Sequence, residues 1–192
     1  MSVLGVIPAR GGSKSIPEKN IVELHGKPLL AWSIEQAFES SVFDCVFVST
    51  DSCKIGDVAR RYGARCDFYR PQNLAGDAVG TGLAIEHSLN EFSNRGYFFD
   101  IVVELQPTYC FRPASAIRDV VMTLKNNINI DSIITCSRVM DTSHPDFVMS
   151  FEKSGLLKFG SKKPDEFARQ QLSPFFSAKG IVLASRVRSY LR

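Results

Sequence analysis

Residues Ser2–Asn20 read SVLGVIPARGGSKSIPEKN, and the architecture follows from this stretch. A continuous apolar run stops at Pro8, and a loop follows with Gly11 and Gly12 adjacent and with Arg10, Lys14 and Lys19 close by. An apolar run without alternation reads as a strand covered on both faces, as in a parallel sheet. Backbone N–H groups of a glycine-rich turn can converge on phosphate oxygens, and three cations can neutralise the charge gathered there. The stretch thus predicts a polyanion site, of triphosphate size, straight after a buried strand. A Walker A loop is excluded because Pro8 and Ser13 stand where its glycines are required before Lys14 and Ser15. The adjacency of Gly11 and Gly12 likewise excludes the dinucleotide fingerprint G-x-G-x-x-G.

Outward from this stretch the pattern repeats. CVFVSTD (45–51), DIVVELQP (100–107) and DSIITCSRV (131–139) read as further buried strands. Between them, apolar residues recur at helical spacing: Leu30, Ile34 and Ala37 or Phe38 after Pro28; Ile55, Val58, Ala59 and Tyr62; Ile85, Leu89 and Phe92; Ile117, Val121 and Leu124. Alternating strands and helices predict an α/β fold, a doubly wound, mostly parallel Rossmann-like sheet, whose ligands bind beyond the carboxyl ends of the strands. After Val139 the texture changes. FVMSFEKSGLLKFG (147–160) reads as a hairpin turning at Lys153-Ser154-Gly155, and GIVLAS (180–185) as a return strand.

A formal net charge of +3 over 192 residues provides no global field for nucleic acid, so charge points to a local anion site. The five cysteines, Cys45, Cys53, Cys66, Cys110 and Cys136, are odd in number and contain no C-x-x-C pair, which predicts reduced thiols, each buried or inert, in a cytoplasmic protein. No apolar segment approaches the ~20 residues of a membrane span. His25, His87 and His144 have no metal-site spacing and read as surface or turn residues, and Trp32 and the phenylalanines read as core.

Polar groups recur where strands finish: Thr50 and Asp51 after the second, Gln106 and Thr108 after the next, then Arg112. Converging on one crevice, amides and hydroxyls suit a base or a sugar. IPARGGSKSIPEKNI, HGKPLLAWSIEQA, FVSTDS, RPQNLAGD, LQPT followed by Arg112, and RQQL occur in the same order and at similar spacing as in the acylneuraminate cytidylyltransferases, the CMP-sialic acid synthetase family, which this sequence resembles over nearly its whole length.

The resemblance implies transfer of CMP from CTP to a sialic acid or related nonulosonic acid, an acidic nine-carbon sugar, with release of pyrophosphate; the eight-carbon relative is a nearby alternative. It implies a sheet of the nucleotide-diphospho-sugar transferase type. It places the phosphate loop on Arg10, Gly11, Gly12, Ser13, Lys14, Lys19 and Asn20, with Arg10 and Lys19 as the catalytic cations. Nucleoside contacts fall on Arg70 and Thr81. Sugar contacts fall on Gln106, Thr108 and Arg112, with Arg169 and Gln170 near the sugar carboxylate and Lys179 standing where the family has an asparagine. It implies magnesium as cofactor, yet the family's Asp-x-Asp ligands do not occur before Arg192, so the metal ligands are unknown; Asp51 and Asp77 are the nearest carboxylates, and Asp77 reads equally as a helix cap. Residues 1–192 are then expected to form one cytidylyltransferase domain without the family's C-terminal segment, with 140–170 a dimerisation excursion making a homodimer. Without the aspartate pair, a non-catalytic or partner-completed CTP-binding relative is the alternative.

Overall fold

The computed structural model describes residues 1–77, 79–140, 143–145, 147–159 and 173–191. Its central sheet has five strands in the order β4-β1-β5-β9-β6: β1 (Val3–Pro8), β4 (Cys45–Ser49), β5 (Ile101–Glu104), β6 (Ser132–Arg138) and β9 (Phe176–Arg186). β1 pairs in parallel with β4 on one side and with β5 on the other, and β9 runs antiparallel to β5. The chain leaves β1 for one neighbour and returns to the other, so the strand order reverses at β1, and a crevice opens at such a point. Two-residue strands β2 (Glu23–Leu24) and β3 (Lys27–Pro28) form a small ribbon whose turn holds Gly26 at φ 79°, a conformation open to glycine.

Side chains alternate across the sheet and bury two layers. On one face Val3, Ile7 and Val103 pack against α1 (Leu29–Ser40), α2 (Cys53–Arg61) and α4 (Ala114–Asn126) through Leu30, Ile34, Ile55, Val58, Ile117, Val121 and Leu124. On the other, Leu4, Val6, Phe47 and Val102 meet Ile85, Leu89 and Phe92 of α3 (Thr81–Asn94), with Val187 and Tyr190 of the short α5 (Val187–Tyr190) alongside. Phe47, Phe68 and Phe92 form an aromatic cluster there, with ring centroids 4.5–5.3 Å apart. The expected doubly wound, mostly parallel sheet is the observed one.

Several local expectations are corrected. β4 stops at Ser49 and β5 at Glu104, two and three residues before the apolar runs suggest, because the chain turns into loops there. β6 alternates between exposed and half-buried residues: it is an edge strand, with Ile133 on the core and Ile134 outside. β9 begins at Phe176, four residues before the expected start. Phenylalanine is not a core marker in this chain, since Phe98 and Phe111 are 74% and 77% exposed. Cys53 and Cys136 are exposed, although all five thiols are free as expected. His144 is buried, its Nε2 3.0 Å from the Ser173 carbonyl oxygen and its ring edge-on to Phe175.

Two compact units emerge, Met1–Ile134 with Gly180–Arg192, and Thr135–Lys179. The second holds the expected hairpin, β7 (Met149–Phe151) antiparallel to β8 (Leu157–Phe159), with Gly155 at φ 84° in the turn. Among the described residues no helix is long and apolar enough to cross a membrane.

Candidate functional site

Beyond the carboxyl ends of β1 and β5 lies a crevice of about 260 Å3, within the first unit. Arg10, Ser13, Lys19 and Asn20 line it from the loop after β1; Arg70, Gly76, Asp77, Val79 and Thr81 from the stretch leading into α3; and Gln106, Pro107 and Thr108 from the end of β5. Three segments far apart in sequence thus meet where the strand order reverses.

The loop after β1 is fixed at both ends. Gly11 N–H donates to Asp51 Oδ1 at 2.9 Å, and buried Asn20 donates through Nδ2 to the Arg10 carbonyl at 2.9 Å. A Cβ on Gly11 would stand 3.1 Å from Ser52 Cβ, so the loop passes too close to α2's start for a larger residue. The Gly11 amide is directed at Asp51 and Gly11 does not line the crevice, nor does Gly12. Asp51 is an anchor of the loop.

Arg70 is buried, donating from Nη2 to the Ser49 carbonyl at 2.6 Å while its own N–H donates to the Thr50 carbonyl at 2.7 Å. Its Nε has no protein partner. Burial pulls the guanidinium below its usual range, with Asp51 opposing that shift. Gln106 donates from Nε2 to the buried Glu104 carboxylate at 3.0 Å, and since an ionised carboxylate only accepts, its amide oxygen is left free of that bond.

Asp77 is the residue that the sequence did not resolve. One oxygen meets Arg10 Nη2 and the other Lys14 Nζ at 2.6 Å, so the carboxylate bridges two cations of the loop after β1. The hydrogen bond from Lys14, then that from Arg10, holds its carboxyl below the ordinary range. It does not cap α3, whose N-cap is Gly80.

The remaining candidates lie elsewhere. Arg112 is 3% exposed and donates to the Ile181 carbonyl at 2.6 Å and to Ser33 Oγ at 2.9 Å; burial pulls its guanidinium down to about 10. It does not line the crevice. Lys179 is exposed on β9 in the second unit, and Arg169 and Gln170 lie outside the described residues. Among the described residues no group of three His, Cys, Asp or Glu side chains could hold a metal ion, and Asp77, the carboxylate lining the crevice, is already paired. The donor set does not fit a magnesium ion held by the protein alone.

The profile of the cytidylyltransferase family matches residues 4–179. The CMP-N,N'-diacetyllegionaminic acid synthase of Legionella pneumophila is 34% identical over 195 residues, spanning 100% of this chain and 81% of that protein. A pseudaminic acid cytidylyltransferase of Campylobacter jejuni is 42% identical over 108 residues, 56% of this chain and 47% of its own length, so the match covers under half of that relative. Among solved structures, CMP:2-keto-3-deoxy-manno-octonic acid synthetase complexed with CTP shares the fold with a TM-score of 0.74 at 18% identity, over 100% of this chain and 76% of that one. With the fold, the ordered motifs and the profile in agreement, the chain belongs to the cytidylyltransferase family, a family of nucleotidyltransferase enzymes.

Proposed function

We propose that the protein transfers CMP from CTP to a nonulosonic acid, a nine-carbon acidic sugar of the sialic, legionaminic or pseudaminic class, and releases pyrophosphate. The observation that supports this is the convergence of Arg10, Lys19 and Arg70 with Gln106 and Thr108 in one crevice at the strand reversal. In the proposed reaction the sugar's anomeric hydroxyl attacks the α-phosphorus in line while the bond to pyrophosphate breaks. Arg10 and Lys19 offset charge on the phosphate oxygens as it redistributes, and the anchored loop holds them in place. Arg70 and Thr81 hold the nucleoside, and Gln106 and Thr108 receive the sugar. Arg112 acts from behind the site, as a buried tie between α1 and β9.

Magnesium would enter with the triphosphate and offset its charge, the described residues supplying no ligand set of their own for it. The exposed apolar face of the hairpin, with Phe151 and Leu157, supports a homodimer formed through the 140–170 excursion. Five free thiols suit the cytoplasm. The lack of a metal-binding carboxylate group among the described residues favours one second reading, a CTP-binding relative whose metal ligands come from a partner. Pyrophosphate release from the purified chain with CTP, magnesium and these sugars supports the first reading, whereas CTP binding without turnover supports the second.

A further inference from the structure

The Asp77 carboxylate lines the crevice yet pairs with two cations of the loop after β1, Arg10, which also lines the crevice, and Lys14. Each of its oxygens takes a different partner, Arg10 on one side and Lys14 on the other, and it reaches them from a segment about sixty residues downstream. Lys14 is largely exposed and does not itself line the crevice, so its contact with Asp77 at 2.6 Å is what links that side chain to the crevice wall. Resting on the phosphate-loop assignment above, we propose that Asp77 is the resident counter-ion of this loop, and that a polyphosphate binds by exchange, its oxygens taking over Arg10 and Lys14 while Asp77 is released.

The magnitudes allow such an exchange. All three side chains are partly or largely open to water, and exposed ion pairs are weak, so a ligand with several negative charges displaces them readily. Before the ligand arrives, the carboxylate offsets the repulsion between two like charges and holds both beside it. Asp77 sits between Gly76 and the N-cap Gly80, and the same segment brings Val79 and Thr81 to the crevice wall.

The test is isothermal titration of inorganic triphosphate, without divalent metal or sugar, into the wild-type chain, Asp77→Asn and Glu18→Gln. Glu18 lies in the same loop, pairs with Lys54 instead of the crevice cations, and controls for the loss of one negative charge. Two weak pairs no longer to be broken correspond to binding tighter by roughly three- to tenfold in Asp77→Asn, with Glu18→Gln unchanged. Equal tightening in both variants makes the effect general electrostatics and overturns the proposal. Unchanged or weaker binding in Asp77→Asn, with wild-type binding intact, overturns it while leaving the phosphate-loop assignment standing. No binding by a folded wild-type chain overturns both.

Discussion

Arg112 provides the sharpest separation of a structural from a substrate-binding role. Its guanidinium joins the Ser33 hydroxyl on α1 to the Ile181 carbonyl on β9, groups 79 and 69 residues away in sequence. Truncation to alanine leaves both acceptors without their donor and opens a cavity. A hydrogen bond from a charged donor contributes about 1.5–3 kcal/mol, so losing two destabilises the fold by roughly 3–5 kcal/mol. For a chain of this size that lowers the melting temperature by on the order of 10 °C. Arg112→Lys retains the charge, but an ammonium lacks the planar fork that reaches both acceptors, so it recovers only part of the loss. Urea unfolding followed by far-UV circular dichroism and by Trp32 fluorescence should show the midpoint falling in the order wild type, Lys, Ala, with an unchanged slope. Coincident midpoints for wild type and Arg112→Ala, combined with a raised KM for the sugar, would refute the reasoning and make Arg112 a substrate contact.

Other outcomes follow from the same structure. Arg10→Ala and Lys19→Ala should each lower pyrophosphate release by about a hundredfold or more while leaving the unfolding midpoint within the range of an ordinary surface change. Arg186 donates to the Leu124, Asn127 and Ile130 carbonyls around the end of α4, and Arg186→Leu should destabilise by roughly 3 kcal/mol in the same urea assay. The folded pKa of Asp77 lies below its unfolded value, so its ion pairs stabilise fully above the ordinary carboxylate pKa and are lost as pH falls through the lower folded value. A carboxyl carbon NMR titration should therefore place Asp77 below ~3.9, the value for a free aspartate, and Arg10→Ala with Lys14→Ala should return it there. A midpoint at or above that value in the wild type would contradict the bridge.

That a cationic, polar crevice wall follows β1 was legible because strand, glycines and cations lie within twenty residues, and Arg10, Ser13, Lys19 and Asn20 do line it. The doubly wound sheet was legible for a related reason, since continuous apolar runs and helical spacing are local signals. What escaped depends on distance in the fold. Arg112 after a strand end reads the same whether its guanidinium meets substrate or main-chain carbonyls. Arg186 has no local signal for its role, since its acceptors come from residues about sixty positions earlier. Asp77 resembled a cap because it precedes a helix, and only the fold brings it against Arg10 and Lys14. His144 and the exposed phenylalanines were misread for the opposite reason: residue type alone does not say which face of an element is covered.

The central claim is tested most directly by pyrophosphate release from the purified chain incubated with CTP, magnesium and, separately, N,N'-diacetyllegionaminic, pseudaminic and N-acetylneuraminic acid, each repeated with Lys19→Ala. The account predicts sugar-dependent release of one pyrophosphate per CMP-sugar formed, reduced about a hundredfold by Lys19→Ala. A folded chain that binds CTP yet releases no pyrophosphate with any of these sugars would contradict it.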